Sequence, residues 1–150
     1  MVMIKVGFAF VSVIAVVYAC KCRKLPSKEA FCNSDFVSHI KVTAVNKNGA
    51  DSETPPQTVY TVTHVSILKK PNGTQLPNTI STSSSSASCG VTLEIGKEYL
   101  IAGSCEDGSL HSGSCGQISP DEPEDSSFGI VMEWKDVSKK FLDQLNKYKC

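Results

Sequence analysis

The sequence has little of what marks a catalyst or a nucleic-acid binder. Its 15 basic and 15 acidic side chains cancel, so no net field draws it to nucleic acid or to an anionic membrane. Its three histidines, His39, His64 and His111, are scattered and match no metal-ligand spacing. There is no G-x-S-x-G, no H-E-x-x-H and no nucleotide-binding glycine loop. The zinc-ribbon C-x-x-C is missing as well. A thiol enzyme would need Cys105 beside His111, and His111 reads more simply as a surface-loop residue. No internal repeat is present. The one strongly apolar run, Val6 to Val17, is shorter than the roughly 20 residues that span a bilayer.

What is present suits one small extracellular domain. The 150 residues are 41% hydrophobic and 20% charged, enough to build a core and too apolar for a disordered chain. Seven cysteines are many for this length and indicate an oxidising compartment. Lys5, the apolar run with Phe8, Phe10 and Ile14, and Val17-Tyr18-Ala19 form a secretory signal peptide over residues 1–19. A lipoprotein box also ends before a cysteine, but bulky Tyr18 beside the cut disfavours it. Cleavage leaves residues 20–150, which start at Cys20 and keep every cysteine.

The mature chain reads as mainly β. Phe36, Ile40, Val42 and Ala44 alternate on one face, with Ser38 as an interruption. Val59, Thr61, Thr63, Val65 and Ile67 do the same from Gln57 to Lys69. Val91, Leu93 and Ile95 predict a third strand. Tyr99 to Ala102 predicts a fourth across a turn at Gly96-Lys97, and Cys115 to Ile118 a weaker fifth. Asn48-Gly49, Pro71-Asn72-Gly73 and Asp107-Gly108 supply residues that tolerate positive φ. Short strands so punctuated make a small sandwich or barrel.

Two helices are expected. The first is Pro26 to Cys32, with Pro26 at its first position. The second is a tail in which Trp134, Val137, Phe141, Leu145 and Tyr148 recur at helical spacing, capped by Asp136 or Ser138. That stripe reads as core packing. Ser81 to Ser88 reads as a flexible exposed loop, and Asp121 to Asp125 as a solvated acidic loop. Asn72-Gly73-Thr74 is a sequon, which makes Asn72 a candidate glycan acceptor.

An odd number of cysteines leaves one thiol over, and spacing alone leaves the pairing of the others open. In a secreted chain disulfides are favoured over zinc. Cys20-Lys21-Cys22 has a further property. In an extended segment Cys20 and Cys22 point one way and Lys21 the other. Two disulfides there would pin a terminus that otherwise frays and present its free α-amine. Such an amine has a pKa of about 7.7–8.0, so part of it is neutral at pH 7. With the Cys20 carbonyl it can chelate zinc, displacing the water of an open catalytic site. Pinning beforehand removes ordering entropy from the binding step.

Several segments carry a family resemblance. Cys20-Lys21-Cys22 followed by Ala30-Phe31-Cys32-Asn33-Ser34-Asp35 is similar to the start of a mature tissue inhibitor of metalloproteinases. Ser85 to Val91 and Glu98 to Gly103 are similar to its central segment, and Trp134 to Cys150 to the closing helix of its inhibitory domain. The resemblance covers the mature chain and is weakest from Lys47 to Thr79. It implies a netrin-like module over residues 20–150: an OB-fold-like five-stranded closed barrel with flanking helices, stapled by disulfides. It implies bridges Cys20–Cys89, Cys22–Cys115 and Cys32–Cys150, with Cys105 unpaired.

The resemblance also implies the function: a secreted, non-enzymatic inhibitor that binds the zinc of a target protease in trans. The inhibitory ridge would comprise Cys20, Lys21, Cys22, Arg23, Ser86, Ala87, Ser88 and Cys89, with the residue at 21 entering the protease specificity pocket. No cofactor of its own is expected; the zinc belongs to the target. The implied partners are secreted zinc metalloproteinases, the chain itself being a monomer with no nucleic acid and no membrane after cleavage. The alternative is an extracellular binding module that engages a receptor or matrix component without inhibition. The chain departs from the family at Lys21, where a small polar residue is usual, and at Phe36-Val37-Ser38-His39-Ile40, where the family has Val-Ile-Arg-Ala. The family's second domain does not follow within these 150 residues, so a single-domain inhibitor is expected.

Overall fold

The computed structural model describes residues 20–48, 55–121 and 129–150. Residues 1–19, expected to be a signal peptide, Gly49 of the first turn and residues 122–125 of the acidic loop lie outside the described residues. The strands are β1 Phe36–Asn48, β2 Gln57–Lys69, β3 Thr79–Ser83, β4 Glu98–Glu106, β5 Ser109–His111 and β6 Met132–Glu133. They run in the order β1-β2-β3-β5-β4-β6, and β1 also pairs with β4. That extra pairing closes β1, β2, β3, β5 and β4 into a five-stranded barrel, with β6 added outside β4. The β3–β5 pair is parallel and the others antiparallel. Closure leaves these five strands without the long free edge that invites aggregation.

The period of two explains why Phe36 to Ile40 of β1 and Tyr99 to Ala102 of β4 are buried on both faces. Phe36, Ile40 and Val42 of β1 and Tyr99 and Ile101 of β4 fill the barrel with Tyr60, Val62, Ile80 and Leu110. The intervening Val37, Leu100 and Ala102 face outward into a second cluster with Phe31, Ile118, Phe141 and Leu145. Two short helices, α1 (Ser27–Asn33) and α2 (Lys139–Leu145), cover that outer face. Lys69 ties α1 to the barrel: its ammonium donates to the carbonyls of Phe31, Cys32 and Ser34 at 2.9, 2.8 and 2.6 Å. These are carbonyls at the end of a helix, where a cation is favoured. Gly103 lies where β4 passes the ring of Phe36 and the backbone of His111, and an added Cβ would collide with both.

The structure corrects several sequence expectations. On β2 the buried face is Thr58, Tyr60 and Val62, and Val65 and Ile67 are 53% and 43% exposed. Both faces of this strand carry β-branched residues, so the pattern has no unique apolar side. A slip of one residue exchanges the faces. Tyr60 settles the matter by fitting the barrel interior, where its hydroxyl donates to the Val91 carbonyl and accepts from Leu93 N. On β1 the register shifts between Val42 and Ala44, and Ala44 is exposed. Ser38 is fully buried, with its hydroxyl 2.8 Å from His64 Nδ1 and 3.0 Å from the Ser66 carbonyl.

Val91 to Ile95 is not a strand. Its amides find side chains rather than a neighbouring strand: Val91 N donates to Thr82 Oγ1, Leu93 N to Tyr60 Oη and Glu94 N to Tyr99 Oη. Val91 and Leu93 are buried, but Ile95 is exposed. Cys115 to Ile118 is also a loop; the short fifth barrel strand is β5 instead. The serine run begins within β3, where Ile80 and Thr82 are buried, and continues as a hydrogen-bonded 3₁₀ turn at Ser86–Ser88. Pro26 sits one place before α1, as its N-cap. The tail is two pieces. Trp134–Asp136 is a 3₁₀ turn, and α2 begins after Ser138, whose hydroxyl accepts from Phe141 N at 3.2 Å. The aromatic stripe does pack against the sheet's outer cluster. Asp121 is engaged rather than merely solvated. Its carboxylate accepts from Ser27 N at 2.6 Å and Ser27 Oγ at 2.9 Å, capping α1 from a distant part of the chain. Proline has no side-chain oxygen to do this.

Candidate functional site: a cross-linked ridge

Cys20 to Arg23 forms an irregular segment before α1. Cys20 and Cys22 are half-buried, and Lys21 and Arg23 are exposed. Cys20 is bonded to Cys89 and Cys22 to Cys115, over sequence separations of 69 and 93 residues. The segment is therefore held between two loops, one ending at Cys89 and one running from Gly113 to Gly116. Cys32–Cys150 joins α1 to the end of the chain.

The two loops are themselves ordered. Ser85 Oγ accepts from Ala87 N at 3.2 Å, and its carbonyl accepts from Ser88 N and Gly90 N. Cys89 adopts φ +60°, which turns the chain sharply back, and its amide donates to Ser86 O. Gly90 follows where an added Cβ would strike the Ser83 backbone. On the other side, Gln117 Oε1 accepts from Ala102 N, and Gln117 Nε2 lies 2.6 Å from Gly113 O and 2.9 Å from Ser112 Oγ. Ser114 links the loops: its amide donates to Cys89 O at 2.8 Å, and its hydroxyl lies 3.6 Å from Cys20 Sγ.

Ser86, Ala87, Ser88 and Cys89 thus stand beside the Cys20–Arg23 segment, the first three exposed. Sequence reasoning missed Gly90, Ser114 and Gln117. Their roles depend on groups distant in sequence, and only the nearness of Ser114 to Cys115 hinted at them. Asn72 is exposed in its turn, beside Gly73 at φ +72°. Cys105 is unpaired, half-buried and packed on the barrel cluster.

The sulfurs of Cys20, Cys22, Cys89 and Cys115 lie within 4.8 Å of one another. As thiolates such a set would suit a soft metal ion. Here all four are consumed in disulfides, so the set acts as a double staple. A cleft of about 460 Å³ opens nearby, lined by Leu25, Asn33, Ser83, Gly103, His111 and Cys115. Among the described residues no helix is long and apolar enough to cross a membrane.

Comparison with known proteins agrees with this architecture. Residues 18–123 match the family described as tissue inhibitor of metalloproteinase. A Caenorhabditis elegans protein provisionally named metalloproteinase inhibitor tag-225 is 42% identical over 144 residues, covering 91% of each chain. Metalloproteinase inhibitor 2 of Oryctolagus cuniculus is 40% identical over 110 residues, covering 67% of this chain and 55% of its own. The Homo sapiens protein of the same name is 38% identical over 111 residues, covering 68% and 49%. The chain therefore spans about half the length of these mammalian relatives. With a family match across most of its length and a closed barrel carrying three disulfides, the chain belongs to the tissue inhibitor of metalloproteinase family.

Proposed function

We propose that this protein is a secreted inhibitor of zinc metalloproteinases, acting through the α-amine and carbonyl of Cys20 once residues 1–19 are removed. The carrying observation is the double staple: Cys20 and Cys22 are each bonded to a different loop, and Ser114 ties those loops together. A short terminal peptide alone would lose much of its binding energy to ordering. Here that ordering is already supplied by folding. The neutral amine and the carbonyl oxygen of one residue form a five-membered chelate, and an open zinc position accepts it in place of water. Family membership supports metalloproteinases as the target class, as do the names of the relatives.

The test compares the protein beginning at Cys20 with two blocked forms, one with an added alanine before Cys20 and one acetylated there. The expected result is stoichiometric inhibition by the free form and none by either blocked form, with all three keeping their disulfides and circular dichroism. Undiminished inhibition by a blocked form would refute zinc chelation.

A further inference from the structure

Alternation along the ridge places Lys21 and Arg23 on the exposed side while Cys20 and Cys22 are held at their loops. Neither cation has an ion pair or hydrogen bond among the described residues. The neighbouring turn offers no counter-charge, since Ser85 to Cys89 contains only serine, alanine and cysteine. The bridges on both sides of Lys21 tether the backbone that carries it.

From these features we infer that Lys21 directs the inhibitor to metalloproteinases whose pocket beside the zinc carries a carboxylate. These are enzymes that cleave before lysine or arginine. The inference rests on the zinc-chelating reading above. With Cys20 on the metal, the Lys21 Cα lies one peptide further, about 3.8 Å from that of Cys20. Its side chain then enters the first pocket past the scissile position. An ammonium desolvated in an apolar pocket is strongly disfavoured, and a carboxylate at the pocket floor offsets that cost. Arg23, two residues on and exposed likewise, extends the same preference to an acidic rim.

The experiment uses the protein beginning at Cys20, its Lys21→Thr variant, and the acetylated form of each. The targets are a zinc endopeptidase that cleaves before lysine, a variant of it with the pocket carboxylate changed to an amide, and a zinc endopeptidase that cleaves before leucine. Lys21 is exposed, so the substitution should leave the fold unchanged, which the disulfide masses verify. The wild-type protein is expected to favour the lysine-directed enzyme over the leucine-directed one by about tenfold or more. Lys21→Thr should reverse that order, and the amide change should weaken only the wild-type protein. Equal inhibition of the leucine-directed enzyme by wild type and Lys21→Thr, with both acetylated forms inactive, would overturn the role of Lys21 and leave chelation standing. So would inhibition by Lys21→Thr alone, since Lys21 would then only obstruct. If no form inhibits any enzyme, both readings fail together.

Discussion

The indole of Trp134 lies flat on the imidazole of His39, with ring centroids 3.6 Å apart and planes 6° from parallel. His39 is a buried residue of β1, and its Nε2 lies 2.7 Å from Glu98 Oε2 on β4. The stack thus fastens the 3₁₀ turn before α2 to two barrel strands. Trp134 is the only tryptophan in the sequence, so its fluorescence reports this contact directly. His39→Ala should shift the emission to longer wavelength. It should lower stability by about 1–2 kcal/mol in denaturant unfolding. Unchanged emission would show that the stack does not form in solution.

Gly90 sets the shape of the turn beside the ridge. An added Cβ there meets backbone atoms of Ser83 and Ser85, which cannot rotate away as a side-chain tip would. Gly90→Ala should therefore displace Ser86 to Cys89 and destabilise the fold by about 2–4 kcal/mol. Inhibition should weaken even where mass spectrometry finds the Cys20–Cys89 bond intact. A variant of normal stability and potency would show that the turn is not held as described.

Asp121 and Ser27 form a cap between segments far apart in sequence. Ser27 Oγ also lies 2.5 Å from Tyr148 Oη, which accepts from Gln144 Nε2 at 2.7 Å, so the network reaches the end of α2. Asp121→Ala and Ser27→Ala should each cost about 1–2 kcal/mol. The double variant should cost clearly less than their sum, because one interaction is being removed twice. Additive losses in the double-mutant cycle would show that the pair is not coupled.

Glu133 joins β6 to the β4 entry. Its carboxylate accepts from Lys135 at 2.8 Å and from Lys97 at 2.9 Å. The hydrogen bond from Lys135, and after it the one from Lys97, holds the Glu133 carboxyl below its ordinary value of 4.5. Lys97 is raised first by its hydrogen bond to Glu94 and next by the one to Glu133, and Lys135 is raised by its hydrogen bond to Glu133. A carboxyl whose folded pKa is lowered stabilises the fold above its unfolded pKa, and that contribution is lost as pH falls through the folded value. Acid should therefore loosen the β4–β6 pairing below about pH 4.5, and salt should blunt the effect because the groups are solvated. Carboxyl chemical-shift titration should find Glu133 titrating below 4.5, and nearer to it in Lys135→Met. An unshifted Glu133 in the unmodified protein would contradict the ion-pair geometry.

Local signals carried far in this sequence. The alternation of Phe36, Ile40 and Val42 placed β1, Tyr99 to Ala102 placed the heart of β4, and the aromatic stripe with Asp136 or Ser138 as its cap placed a helix in the tail without fixing where it starts. Each rests on a period or a cap readable within a few residues.

Tertiary structure decided everything that depends on a distant partner. Tyr60 chose the buried face of β2, because only the closed barrel supplies a place for its ring and hydroxyl. Val91 to Glu94 look like a strand but bond to side chains, since no neighbouring strand reaches their amides. The first three residues of the serine run, Ser81 to Ser83, lie in β3, because β2 and β5 lie on either side of it. Which sulfurs are bonded was likewise open from spacing and is set by which loops close over Cys20 and Cys22 and by where the chain end meets α1. Periodicity is a property of one segment, whereas hydrogen-bond and disulfide partners belong to pairs of segments that meet only when the chain has folded.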